Sequence, residues 1–398
     1  MKNPKQINKK TMAGVLALVA MVAMAVTACS NDVPTAAAID LEAAQTQAVA
    51  TIYAGITQTA VAAVPVTPSV TPSPTRDPKR TPPSLPSVFT SNLLNPLDTP
   101  HEYIQDSCEY LNKKWGASAA EPGTILVPIM FHSITKGDAV ADNAITFTDY
   151  KRIMNDLHDM GFEAVTMQQA VDFLYNNASI PKRSVLLIVD DRKKREYFDT
   201  TFRKYYEDWG WPVINSWINF DDSIYTQVIG ENVELEKEGW VDHQSHGTIH
   251  NIPMSNDSTD EYLQGELQGS MQKMEKDYGK TPVAIIWPGG GFGEKPVAAA
   301  EGYGYKLAFT VNPRGPLMFN WVPLSDEADP MRPSFIPEGQ IGNPLFTLPR
   351  YWDTDIREHL DDILNISGDA GKYQLANKDT ELEYYDIMCS DQYGPLAQ

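Results

Sequence analysis

His132 follows the apolar run PIMF, Asp190 and Asp191 close the run LLIV, and His246 and His250 stand four apart in SHGTIH. Two imidazoles at that spacing with a carboxylate nearby form a plausible facial set for a first-row metal such as zinc. Zinc takes imidazole nitrogen and carboxylate oxygen, and in catalytic sites it keeps one position open for water. A bound cation lowers the pKa of its water from above 15 to about 7 and polarises a carbonyl oxygen. A second carboxylate beside it can then accept the water's proton as general base. One aspartate of the 190/191 pair is therefore expected to bind the metal and its neighbour to take the proton. Adjacent residues of a regular strand point to opposite faces, so both can serve one site only if the strand ends at Asp190 and the chain bends.

Taken singly, these signals are weak. An H-x-x-x-H pair is more often incidental than a metal site, adjacent aspartates are usually solvated or cap a helix, and WPGGGFG (287–293) by itself reads as a turn. His158, His243 and His359 have no partner signal and read as structural.

The elements that must position these residues begin after about residue 100, where short apolar runs alternate with amphipathic stretches. Expected strands are TILVPIMFH (124–132), EAVTM (163–167), SVLLIVD (184–190), PVINSWI (212–218), WVDHQSH (240–246), PVAIIWP (282–288) and KLAFTV (306–311). Helices are expected between them. FTDYKRIMNDLHDMG has Thr146 or Thr148 as its cap and Gly161 as its stop, and STDEYLQGELQGSMQKMEKDYG is closed by Gly279. Repeated strand–helix units imply parallel strands. About seven of them in this length suggest an α/β barrel rather than an open sheet, with the loops after the strands gathered on one face.

The 398-residue chain has a formal charge of −20. Its first residues combine a basic start (Lys2, Lys5, Lys9, Lys10) with the apolar stretch Met12–Ala28 and the sequence VTAC, which resembles a bacterial lipobox. Cleavage before Cys29 and a lipid on that cysteine are expected. The alternative is an uncleaved anchor helix, and both readings place the rest outside the cytoplasm, tethered to the membrane. Loss of residues 1–28 removes four lysines and no acids, leaving a charge of −24. So acidic a chain is poorly suited to nucleic acid. Residues 29–100 are rich in Ala, Thr and Pro and read as an extended stalk, with the folded domain over 101–398. Cys108 and Cys389 bracket that domain and are a candidate disulfide in an oxidising compartment.

The order PIMFHSI, VDDR, SHGTIH and WPGGGFGEKPVAAAEGYGYKLAFTV resembles the polysaccharide deacetylases of the NodB-homology type, carbohydrate esterase family 4. The resemblance runs from about residue 124 to 311, includes the helix at FTDYKRIMNDLHDMGFEAVTMQQAVDFL, and continues weakly to LPRYW (348–352). It implies a distorted (β/α)7-type barrel that removes acetyl groups from acetylated polysaccharides with a divalent metal, commonly zinc. It assigns Asp190 as catalytic base, and Asp191, His246 and His250 as metal ligands. By similarity to the poly-N-acetylglucosamine deacetylases, His132 would be the acid that protonates the leaving amine. Gly289 would offer its N–H to the oxyanion, a donor of a kind worth on the order of 3 kcal/mol.

The sequence departs from the family pattern in three places. Arg192 replaces the usual glycine and opens the run RKKR where substrate would approach, Gly289 replaces a tyrosine, and Ile285 and Ile286 stand near where a base-orienting arginine is common. The reading is a membrane-tethered, metal-dependent deacetylase of a cell-wall or extracellular polysaccharide, with no protein partner expected. The alternative is an idle glycan-binding protein on the same fold. A glycosidase needs two acids at least about 5 Å apart across the scissile bond, which adjacent aspartates do not supply. Aromatic residues such as Trp209, Trp211, Trp217, Trp287 and Trp321 are candidate sugar-stacking faces, though most are expected to pack in the core.

Overall fold

The computed structural model describes residues 80–220, 226–249 and 252–396. The described residues all belong to one compact unit. The expected signal segment, Cys29 and most of the expected stalk lie outside the described residues.

The strands are β1 (Asp98–His101), β2 (Ile125–Phe131), β3 (Ser133–Thr135), β4 (Ala144–Thr146), β5 (Glu163–Ala164), β6 (Arg183–Asp190) and β7 (Val213–Trp217). They continue with β8 (Val241–Ser245), β9 (Ala284–Ile286), β10 (Leu307–Phe309), β11 (Val322–Ser325) and β12 (Tyr351–Trp352). The main sheet is parallel throughout, in the order β10-β9-β8-β7-β6-β2-β12, with β5 on β6. Just before β12, Leu348 bridges Phe309 of β10, while Tyr351 and Trp352 pair with Ile129 and Met130 of β2. One short segment therefore touches both ends of the curled sheet. This is the α/β barrel-like architecture expected from the repeated strand–helix units.

Alternation along β2 and β6 explains the two apolar layers. Ile125, Val127, Ile129, Phe131, Val185, Leu187 and Val189 enter one buried cluster, and Leu126, Leu186 and Ile188 enter the other. Strands covered on both faces read as continuous apolar runs, and every residue of β2 is buried.

The helices sit where 3.6-residue periodicity and caps place them. Helix α1 (Ser107–Trp115) precedes β2. Helix α2 (Phe147–Asp159) is capped by Thr146, whose side chain accepts from Asp149 N–H, so the nearer of the two candidate caps is used. The expected helix ending at Gly279 is two, α3 (Asp260–Glu266) and α4 (Gln268–Tyr278), joined at Leu267, with Gly279 left-handed at the end. The expected strand 163–167 shrinks to two residues because Thr166 caps the next helix through a capping box with Gln169. A long helix, α5 (Ile356–Met388), was not anticipated; Ile356, Leu360, Ile363, Ile366 and Ala370 form its buried stripe.

The expected boundary at residue 100 needs correction. The chain is already packed on the domain at Arg80, 2.6 Å from Asp386. The Phe89 ring lies 6.0 Å from that of Trp321, whose Nε1–H donates to Phe89 O at 2.8 Å. β1 pairs antiparallel with β11. Proline-rich composition correctly marks an extended backbone but does not report the aromatic contacts that fix it. Cys108 and Cys389 are joined in a disulfide with Cα atoms 5.2 Å apart, tying α1 to the end of α5. Among the described residues no helix is long and apolar enough to cross a membrane; the stretch Met12–Ala28 is outside them.

Candidate active site

Parallel strands bring their C-terminal ends to one rim, and the polar residues there come from β2, β6 and β8. Asp190 is the last residue of β6 and is 2% exposed. Its Oδ1 accepts from Arg350 Nη1 at 2.7 Å, and its Oδ2 lies 3.5 Å from His132 Nε2. Burial by itself would raise the Asp190 pKa, but the guanidinium of Arg350, then His246 and His132, hold it well below the usual carboxylate range. Arg350 is itself fully buried and donates Nε–H to Thr310 O at 2.7 Å, which fixes its fork.

The expected bend is at Asp191, whose φ of 71° lies in the left-handed region. That turn lets two consecutive carboxylates leave the strand toward one rim. The Asp191 carboxylate is part-exposed and lies 3.8 Å from Lys193 Nζ.

His132 follows β2 and stacks on Trp352, with ring centroids 5.5 Å apart and planes 12° off parallel. Its Nδ1 is buried with no hydrogen-bond partner among the described residues. Burial lowers its pKa, and Asp190 opposes the shift. His246 follows β8, and its Nδ1 bonds Ile286 O at 2.8 Å. A carbonyl only accepts, so the proton is on Nδ1 and Nε2 carries the lone pair, the tautomer a metal-binding imidazole uses. The loop after it is clamped by buried Glu266, which accepts from Thr248 N at 2.9 Å and Ile249 N at 3.0 Å. Gly247, at φ +76°, has no room for a Cβ, which would meet Glu266 Oε2 at 2.5 Å.

His250 lies outside the described residues. Among those residues no group of three or more His, Cys, Asp or Glu side chains forms a metal cluster. The Asp191 carboxylate and the fixed tautomer of His246 fit a divalent ion as two of three expected donors. Gly289 sits at φ +58° in the turn Pro288–Gly290. The bonds of this turn run from Gly290 N to Trp287 O and from Gly291 N to Pro288 O, and neither uses the Gly289 N–H.

Two departures look different in three dimensions. No arginine stands near Ile285 and Ile286, as expected, but Arg350 from the segment before β12 reaches Asp190, the expected base, from elsewhere in the chain. The run RKKR is mostly committed to the protein. Arg192 donates to Ile218 O at 2.9 Å and lies over Trp217 at 5.2 Å, and Arg195 pairs with Asp199 and Glu238. Lys194 is exposed.

Asp353 was also missed. It is 2% exposed, and neither carboxylate oxygen has a hydrogen-bond partner among the described residues; the His132 backbone N–H approaches without closing a bond of good geometry. Burial, then Asp355, push its pKa up to about 8. The signal for both missed residues was the polar punctuation of LPRYWDTD, an arginine and two aspartates within a buried aromatic stretch.

No known protein-family profile matches the chain. A curated protein of Bacillus subtilis (strain 168), named "Putative polysaccharide deacetylase YxkH", is 24% identical over 193 residues, 46% of this chain and 64% of that relative's length. The similarity is to polysaccharide deacetylases. Among solved structures, the Streptococcus pyogenes deacetylase PplD in complex with acetate is 17% identical, with a TM-score of 0.47, covering 60% of this chain and 98% of that one. IcaB from Ammonifex degensii is 15% identical with a TM-score of 0.44, covering 64% and 99%. The fold described above stands on its own strand order.

Proposed function

We propose that this protein is a metal-dependent deacetylase of an acetylated polysaccharide, held outside the cytoplasm by a lipid on Cys29. The observation that carries the reading is Asp190, ionised at the end of β6, gripped by Arg350 and 3.5 Å from His132. The name of the Bacillus subtilis relative supports it.

A divalent ion, most simply zinc, held by Asp191, His246 and the expected third ligand His250, would polarise the acetyl carbonyl and acidify a water. Asp190 takes the proton of the attacking water, and Arg350 keeps one of its oxygens turned away so that the other faces the reaction. The Gly289 N–H donates to the oxyanion as the carbonyl becomes tetrahedral. His132, with its ring plane set by Trp352, gives a proton to the departing amine as the C–N bond breaks. The products are acetate and a free amino sugar.

A second reading, an idle glycan-binding protein, is favoured by Lys193, whose ammonium beside Asp191 competes with a cation for that carboxylate. Acetate release from N-acetylated oligosaccharides separates the two. Turnover that stops with chelator and returns with zinc supports the deacetylase, and saturable glycan binding without acetate over long incubation supports the idle protein.

A further inference from the structure

Trp352 does more than stack on His132. It also lines an open cleft of about 590 Å³ with Phe335, Pro313, Thr354, Asp142 and Asp355, a volume within the range of small-ligand sites. These residues come from separate parts of the chain. Asp142 lies just ahead of β4, Pro313 and Phe335 lie in the segments flanking β11, and Thr354 and Asp355 lie between β12 and α5. Phe335 and Trp352 line the cleft with aromatic surface of the kind on which the C–H side of a pyranose packs, and Thr354 and the neighbouring Asn143 are partners for hydroxyls.

The charge of the cleft is one-sided. Its lining holds two carboxylates and no lysine or arginine. The cations behind Phe335, Arg314 and Arg332, are already engaged by Asp98, Glu338 and Asp329. Asp355 is half-buried: its Oδ1 is closed off without a hydrogen-bond partner among the described residues, and the carboxylate meets the cleft through its other oxygen. Burial raises its pKa, with His359 opposing; an ammonium seated there would offset that burial.

We propose that this cleft is a subsite for an amino-bearing, cationic sugar unit, so that the protein acts on chains already carrying a free amine near the residue being deacetylated. The proposal rests on the deacetylase reading for its substrate, and its test does not depend on turnover. Affinities are measured by calorimetry at pH 6 on the full chain carrying Asp190→Asn, so that no probe is consumed. The probes are a β-1,4-linked N-acetylglucosamine tetramer and the same tetramer lacking one acetyl group.

The mono-amine tetramer is expected to bind about tenfold more tightly, and the advantage should shrink with added salt. It should vanish when Asp142→Asn and Asp355→Asn are combined and fall part-way in Asp142→Asn alone, an exposed position where folding is not at stake. Phe335→Ala should weaken both probes alike. Equal affinities, an advantage that survives the double substitution, or no saturable binding of either probe would overturn the subsite. Acetate release by the unsubstituted chain is followed separately. Turnover without amine preference leaves the deacetylase reading standing, and amine preference without turnover leaves the subsite standing.

Discussion

Arg350 Nη1 lies 2.7 Å from Asp190 Oδ1 across 160 residues of sequence. Both side chains are buried, so each is the other's compensation for leaving water. Arg350→Met should therefore cost about 3–5 kcal/mol of stability, because it strands a buried carboxylate. It should also raise the Asp190 pKa and move the acid limb of turnover to higher pH. Thermal unfolding together with a pH–rate profile checks both, and a limb that stays in place would show that Arg350 does not position the base.

His132 and Asp190 perturb each other with a definite sign. Burial lowers the His132 pKa below the ordinary value of about 6.5, and the Asp190 carboxylate is what keeps it from falling further. NMR titration of the metal-free protein should give a His132 midpoint below that value. Asp190→Asn should lower it again; a rise would contradict the described geometry.

Asp353 predicts an unusual gain. Its folded pKa of about 8 lies far above the unfolded value of about 3.9. The folded state thus holds its proton more tightly, and stability falls as pH rises from about 4 through 8. Asp353→Asn should leave stability unchanged near pH 4 and increase it by on the order of 2 kcal/mol at pH 8–9. Paired melting curves at the two pH values test this, and a loss of stability at the higher pH would refute it.

The Cys108–Cys389 bridge closes a loop with a sequence separation of 281 residues. Replacing both cysteines with serine should cost about 2–5 kcal/mol, read as a lower denaturant midpoint. An unchanged midpoint would mean that the apolar contacts of Leu85, Leu111 and Tyr385 hold that end of the domain without it.

What the sequence made legible follows from the range of each physical signal. The runs at 125–131 and 184–190 are buried on both faces, and such strands declare themselves as apolar runs whatever surrounds them. Asp190, Asp191 and His132 were visible because they stand where those runs stop, and His246 because it ends the expected strand 240–246. Arg350 and Asp353 were not, because their role depends on β12 pairing with β2 across more than 200 residues, a contact with no local periodicity. Arg192 and Arg195 looked available to substrate because a run of charges does not show that Trp217, Asp199 and Glu238 come to meet it.

The proposed mechanism turns on Asp190 accepting a proton during removal of an acetyl group. It is tested most directly by acetate release from N-acetylated hexosamine oligomers, comparing the unsubstituted full chain with Asp190→Asn, both supplied with zinc. Steady release by the former and a loss of roughly 10²–10⁴-fold in the latter are expected. Equal rates, or no acetate from either, would contradict it.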